Sequence, residues 1–480
     1  MITQVSPYNL WTVRFLRYLT ILFLVLSFLW WVLLFVAIFV TPPGLHTRGS
    51  GFFDFSYTCL TLGNLLVALI FFTAPSKAMR ISSAIIAALL LVDVILIVAV
   101  RRIRHEEGWI GIASVIWAFL IAAWCVLVDR VVAWGKREEE ERLTGRAETR
   151  RTLRGWLAVL LGTVILIVYA VVTLLMTFTL IIRARDASLK MSGNYYAVDG
   201  GKYDVHLDCL GRKGRRPTVI IEAGEAPSEY DFEHWAYSAM QNGTIGRYCY
   251  WDRPGYAWSD NAPSPHSAGM SADALSEALA RAGEEGPFIL VSAGYGSIVS
   301  RIFGSRHVHE IEGIMLVDPL HEDLLDRVGS PWHGFLTWGW GVISPLGIQR
   351  ILGAVFSGRT RQDRVYGRSY YQNGKFLKAH LQENLVATSL TKNEVVQSRA
   401  IQTRDTPLVV ISSGREVKKS SKWEQKQKDL TRLTDNLIDW AIVDKAPHQV
   451  WKTLDGRNAM DEGLQKLVKA AKEPKFVEEQ

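Results

Sequence analysis

The sequence predicts two architectures in one chain: a transmembrane domain of five α-helices over residues 1–185, then a mostly parallel, doubly wound α/β domain over residues 195–470 with a long insertion. Three observations predict it. Charged residues, 21% of the 480 overall, are nearly absent from long stretches before Ile182 and ordinarily dense after it. Five apolar runs reach the roughly 20 residues that cross about 30 Å of hydrocarbon. From Tyr195 onward, short apolar runs alternate with helical stretches, the pattern of a parallel sheet covered on both faces.

The expected spans are Tyr18 to Val40, Phe55 to Ala74, Ile81 to Val100, Trp109 to Val128 and Trp156 to Ile182. Pro42, Pro43 and Gly44 end the first, since proline removes a donor and glycine adds backbone freedom. That run exceeds the apolar core of a signal peptide and is followed by further spans, so it reads as a span. Asp93 is the one acidic residue well inside a span, and it is expected to be solvated or paired towards Arg101 and Arg102. The spans show neither repeated charged positions nor an inverted repeat, so they read as an anchor.

Lys and Arg number twelve on the side of the N-terminus, the loop around Lys77 and Arg80, and the segment Arg130 to Arg154; the other side carries seven. The positive-inside rule then puts the N-terminus in the cytosol, and five spans put the C-terminal domain on the lumenal or extracellular side. Lys136 to Arg154 is expected to be a solvated cytosolic helix. The net charge of +7 lies largely beside the spans, where basic residues flank a bilayer, so the expected partner is the lipid bilayer and not nucleic acid. Four cysteines without a CxxC pair exclude a zinc ribbon. Cys209 and Cys249 either pair in an oxidising compartment or remain buried thiols. Asn242, Gly243 and Thr244 form an N-glycosylation acceptor.

In the second half, Tyr195 to Val198 and Tyr203 to Cys209 flank Asp199, Gly200 and Gly201 as a hairpin. Buried-strand runs follow at Thr218 to Ile221, Tyr248 to Trp251, Phe288 to Val291, Ile314 to Val317, Leu408 to Ile411 and Ile438 to Val443. Sites in such sheets lie at the carboxyl ends of the strands. The distinctive residues sit there: Glu222-Ala223-Gly224, Asp252 to Asp260, Ser292-Ala293-Gly294-Tyr295-Gly296-Ser297, Asp318-Pro319 and the late His448.

Their order and spacing resemble the α/β-hydrolase family over about residues 195–470. That resemblance implies a G-x-S-x-G elbow, a tight strand-to-helix turn exposing a nucleophilic serine. Aligned on Tyr295 and Gly296, the nucleophile position is Gly294, so the hydroxyl is absent. Ser292 and Ser297 are the alternative nucleophiles, one before the tip and one in the first helical turn. The oxyanion hole implied by the family falls on the backbone of Tyr295 and on the loop with Glu225 and Ala226. Glu225 places a carboxylate where negative charge would develop, which opposes acyl transfer. His448 matches the general base, and its orienting acid is either Asp318 or Glu416.

The expected function is therefore that of a membrane-anchored hydrolase-fold protein without serine-hydrolase activity, holding a hydrophobic small-molecule ligand or a protein partner. The alternative is a hydrolase of a membrane-derived ester or amide acting through an unusual nucleophile or a water activated by His448 or Glu225. No cofactor and no metal are expected: HExxH is missing, and His321, His333 and His380 stand singly. The insertion over about residues 320–407 falls where the resemblance implies a lid; it is strongly apolar at first, including Trp332, Trp338 and Trp340, and is expected either to lie on the bilayer or to cover the pocket. Residues 471–480 are expected to be a disordered tail.

Overall fold

A computed structural model describes residues 10–144, 152–214, 217–402 and 404–472. The chain divides into two compact units: the described residues up to Leu189 together with Gly339–Arg359, and those from Lys190 to Trp338 and from Thr360 onward.

The first unit holds five helices long and apolar enough to cross a membrane: α1 (Trp11–Phe39), α2 (Phe52–Ile70), α3 (Lys77–Ala99), α4 (Arg101–Thr144) and α5 (Leu153–Asp186). The shortest, α2, has 19 residues, about 28 Å at 1.5 Å per residue. Helix α1 starts seven residues before the expected span, and α4 runs well past both ends of its own, because hydropathy marks only the apolar stretch of a helix. Polar caps set some true ends, as where Ser76 accepts from the Met79 N–H and Thr152 from the Gly155 N–H. The expected separate helix after Lys136 is the continuation of α4 to Thr144; residues 145–151 lie outside the described ones. Gly108, at φ 63° and ψ −161°, kinks α4 near its start.

Indole donors tie α1 to α4: Trp30 to Ser114 at 3.0 Å, Trp117 to Ser27 at 2.9 Å and Trp124 to Thr20 at 3.1 Å. Asp93 is fully buried and accepts from the Tyr57 hydroxyl at 3.0 Å, so its partner is a phenol of α2 and not an arginine at the helix end. Arg183 forks onto Glu106 and Glu107 at 2.8 and 2.7 Å. Outward, Leu22, Val25 and Leu29 of α1 and Leu160, Val164, Val168 and Val171 of α5 are exposed, as lipid-facing side chains are.

The second unit is an eight-stranded sheet: β1 (Asn194–Val198), β2 (Tyr203–Gly211), β3 (Thr218–Glu222), β4 (Arg247–Trp251), β5 (Phe288–Ala293), β6 (Ile311–Val317), β7 (Leu408–Ser413) and β8 (Leu437–Val443). Their order is β1-β2-β4-β3-β5-β6-β7-β8, with β2 antiparallel to both neighbours and the rest parallel from β4 to β8. Alternate residues of each central strand enter opposite cores. Ile220, Leu290, Leu316 and Val410 pack with α7 (Ala268–Arg281) and α8 (Gly296–Arg306). Val219, Ile221, Val291 and Met315 pack with α6 (Ser228–Gln241) and the helix Leu454–Lys472. Each such side chain contributes about 1.5–3 kcal/mol by leaving water, and burial on both faces explains why these strands read as unbroken apolar runs. Cys209 and Cys249 face each other in the β2–β4 register and form a disulfide. Ala471 and Lys472 still belong to the last helix, and the remainder of the expected tail lies outside the described residues.

Between β6 and β7 the chain is helical, and here it departs from the expected layout. Helix α9 (Pro331–Ile343) and α10 (Ile348–Phe356) bracket a turn, and Gly339–Arg359 belongs to the membrane-helix unit instead of the α/β unit. The reason is local packing. Arg350 pairs with Asp186 of α5 at 2.6 Å with both side chains buried; Gly347, at φ +56°, abuts Thr179; and Gly341 abuts the Phe52 ring, where a Cβ has no room.

Candidate functional site

The site lies at the carboxyl ends of β3, β5 and β6. After β5 the chain turns sharply into α8, and Gly294 at the tip has φ +47°, a conformation glycine adopts without the penalty other residues meet. The Leu320 N–H donates to its carbonyl at 3.0 Å and the Ser297 hydroxyl at 2.7 Å. The elbow is thus fully formed around a residue with no side chain.

After β3, Ala223, Gly224 and Glu225 form the facing loop. Arg253, just past β4, holds it from beneath: one guanidinium nitrogen donates to Glu222 at 2.6 Å and to the Ala223 carbonyl at 2.7 Å, and another to the Gly224 carbonyl at 2.6 Å. Trp251 donates to the other oxygen of Glu222, and Arg253 stacks 4.3 Å from the Tyr256 ring. So pinned, the loop aims Glu225 at the elbow. A Cβ on Gly294 would lie 2.7 and 3.0 Å from the two Glu225 carboxylate oxygens and 3.0 Å from His448 Nε2. The space a serine side chain would enter is filled by the Glu225 carboxylate. The Tyr295 N–H points to the same carboxylate at 3.4 Å.

His448 bridges two acids. Its Nδ1 is 2.6 Å from Asp318 and its Nε2 is 3.3 Å from Glu225. Asp318, fully buried after β6 at φ +43°, also accepts from the Ser413 N–H and the Trp423 indole, each at 3.0 Å. Burial disfavours an imidazolium at His448, but the hydrogen bonds to Asp318 and Glu225 outweigh it and push its pKa up to about 10. Partial burial likewise opposes ionisation of Glu225, and the His448 hydrogen bond and charge overcome it, holding that carboxyl down to about 2. Both ring nitrogens of His448 thus face carboxylates, an arrangement that favours the imidazolium.

The structure thus brings together Gly294, Tyr295, Glu225, His448 and Asp318, with Ala226 buried beside them. Three sequence candidates fall elsewhere. Glu416 lies in the first turn of the short helix after β7 and its backbone N–H is capped by Ser413, while Asp318 is the acid that meets His448. Ser297 turns its buried hydroxyl onto the carbonyls of Gly294 and Leu320, and Ser292 is fully buried within β5; neither projects at the tip. His321 gathers with Glu322 and Asp429, yet Arg301 and Arg399 already neutralise that group at 2.6–2.9 Å. Asn242 is exposed at the end of α6. Sequence places Arg253 in the distinctive turn Asp252 to Asp260 without giving it a role, and does not single out Tyr370, whose hydroxyl donates to the Glu225 carbonyl at 3.1 Å; an arginine inside the otherwise uncharged stretch between those aspartates is the available signal.

Residues 2–209 match a family described as a region of unknown function, DUF2417. An uncharacterized protein of Schizosaccharomyces pombe is 32% identical over 469 residues, covering 91% of this chain and 87% of that protein. An uncharacterized vacuolar membrane protein of Saccharomyces cerevisiae is 26% identical over 325 residues, covering 57% of this chain and half of that protein. Among solved structures, an α/β-hydrolase enzyme from a Medee basin deep-sea metagenome library aligns with 56% of this chain and 96% of its own at 13% identity, with a TM-score of 0.41. The strand order and the elbow, read from this chain's own backbone, identify its second unit as an α/β-hydrolase fold.

Proposed function

The chain belongs to one family with the uncharacterized Schizosaccharomyces pombe protein, and on that footing we propose that it is a multi-pass membrane protein presenting a hydrolase-fold domain that performs no serine hydrolysis and instead holds a lipid-like ligand or a protein partner. One observation carries this reading: Gly294 has no hydroxyl, and the Glu225 carboxylate occupies its place and neutralises His448. A serine hydrolase needs a nucleophile, a base able to take its proton and donors for an oxyanion. Here the first is missing, the second is held as a cation and the third faces an anion.

The second reading, hydrolysis by an activated water, draws on the intact Asp318–His448 pair. It requires Glu225 or His448 to accept a proton near neutrality, which the ion pair opposes.

For sidedness, the charge bias, the Cys209–Cys249 disulfide and the exposed acceptor at Asn242 all favour a cytosolic N-terminus and a lumenal or extracellular α/β domain. The Saccharomyces cerevisiae relative, described as a vacuolar membrane protein, favours an endomembrane.

The test is labelling of purified full-length protein with a fluorophosphonate probe, beside Gly294→Ser and a Gly294→Ser/Glu225→Gly double variant. The natural protein should stay unlabelled and the double variant should react. Robust labelling of the natural protein, or ester hydrolysis by it that Glu225→Gln abolishes, overturns the reading. Glycosidase treatment of protein expressed in eukaryotic cells should shift its mobility, and Asn242→Gln should remove that shift.

A further inference from the structure

We infer that α10, in the insertion between β6 and β7, is an amphipathic helix lying in the plane of the bilayer interface, so that the chain contacts lipid through this element as well as through its five long helices. The inference rests on the reading of those helices as membrane spans.

On α10 the side chains of Ile348, Leu352, Val355 and Phe356 are 46%, 49%, 66% and 79% exposed. Their spacing of four, three and one residues places all four on one helical face. Arg350, about 200° around the helix from Ile348, points the other way and is buried. A large apolar side chain left four-fifths open to water is unfavourable by about 25 cal/mol per Å² of its surface, and four on one face form a continuous patch that requires a cover.

What covers it follows from where α10 is fixed. The Arg350–Asp186 ion pair and the close seat of Gly347 on Thr179 fasten it to the C-terminal end of α5. That end is where the apolar run of α5 closes at Ile182 and Arg183, Arg185 and Asp186 begin, which marks the edge of the hydrocarbon. Phe178 and Ile181 on the same stretch of α5 are themselves 47% and 39% exposed, so apolar side chains of α5 are open at the level where α10 is held, as they are on a lipid-facing helix. A short helix with one apolar face, held at that level, buries the face about 5–10 Å into the headgroup and acyl boundary. A hairpin that merely capped a pocket would turn these residues inward.

The test uses the full-length protein in phospholipid vesicles. Cys59 and Cys125 are replaced by alanine; the paired Cys209 and Cys249 do not react with maleimides. A single cysteine carrying an environment-sensitive fluorophore is placed in turn at Leu352, at Phe356, at Val168 in the middle of α5, and at Lys202 on an exposed turn. Quenching by lipids bearing a nitroxide high or low on the acyl chain is compared with quenching by aqueous iodide. The inference expects labels at 352 and 356 to respond most to the shallow nitroxide, Val168 to the deep one and Lys202 to iodide alone. If Val168 is quenched by lipid while 352 and 356 respond only to iodide, α10 lies in water and the inference fails. If 352 and 356 resist both quenchers, a protein surface covers the helix, and the inference fails equally. Loss of lipid quenching at Val168 itself overturns the spanning reading and separates that failure from this one.

Discussion

The two halves of the site were built to different ends. On one side, Asp318 and His448 keep a full set of partners: the acid accepts from a backbone N–H, an indole and the imidazole, and none of its bonds depends on a substrate. On the other side, Gly294 offers nothing, and a carboxylate from a loop some seventy residues earlier in the chain has taken the position. The comparison teaches that the acid and the histidine are part of how β6, β7 and the loop after β8 are joined, whereas the elbow holds its backbone hydrogen bonds at Gly294 without any side chain at the tip.

Breaking the scaffold beneath the loop should have the largest effect. Arg253→Met leaves Glu222 buried without its cation and strips the Ala223 and Gly224 carbonyls of their donors, which should cost about 3–5 kcal/mol. Thermal unfolding of the purified protein in detergent measures it. If the loss is as small as that of a surface arginine, the loop is not held from below and the contrast between the halves collapses.

Next comes the tip. Gly294→Ser introduces a side chain at φ +47°, at about 1–3 kcal/mol, and drives the Glu225 carboxylate away from His448. Adding Glu225→Gly should relieve the steric part and leave the backbone part, so the two substitutions should be non-additive in a double-mutant cycle. Additivity would show that Glu225 does not occupy the tip.

The smallest effect is in pH. His448 is held up near 10 against an ordinary value of 6.5, so the stability its protonation contributes is complete below pH 6.5 and is lost as pH rises through 10. Glu225 is held down near 2 against 4.5, so its share is complete above pH 4.5 and is lost as pH falls through 2. Because the Glu225 side chain is 44% exposed, solvent screening limits the pair to about 1 kcal/mol. The natural protein should lose stability between pH 7 and pH 10, and Glu225→Gln should shrink that loss. Titration of the His448 ring by NMR should show its pKa fall in the same variant; an unchanged value means Asp318 alone sets it.

The strands and the elbow were legible because their physics is local. Runs such as Val219 to Ile221 and Phe288 to Val291 are apolar at every position, as a short strand buried on both faces is. Gly294 stood out for the same reason, since a motif of fixed spacing brackets it. What sequence could not supply was contact at long range. Asp318 and Glu416 each follow a strand, and only the turn of Asp318 to positive φ brings one of them to His448. That Glu225 enters the space at residue 294 depends on Arg253 holding its loop. Gly339–Arg359 reads as any apolar insertion, because the ion pair that assigns it to the membrane helices joins residues 164 positions apart.

The crowded elbow also bears on descent. A mutation that places serine at 294 meets the Glu225 carboxylate first, and a mutation that clears Glu225 first frees a tip with nothing on it. On the proposed reading neither step alone completes a catalytic set. On that reading two positions well separated in the chain would have to change together before the fold's ordinary chemistry could begin.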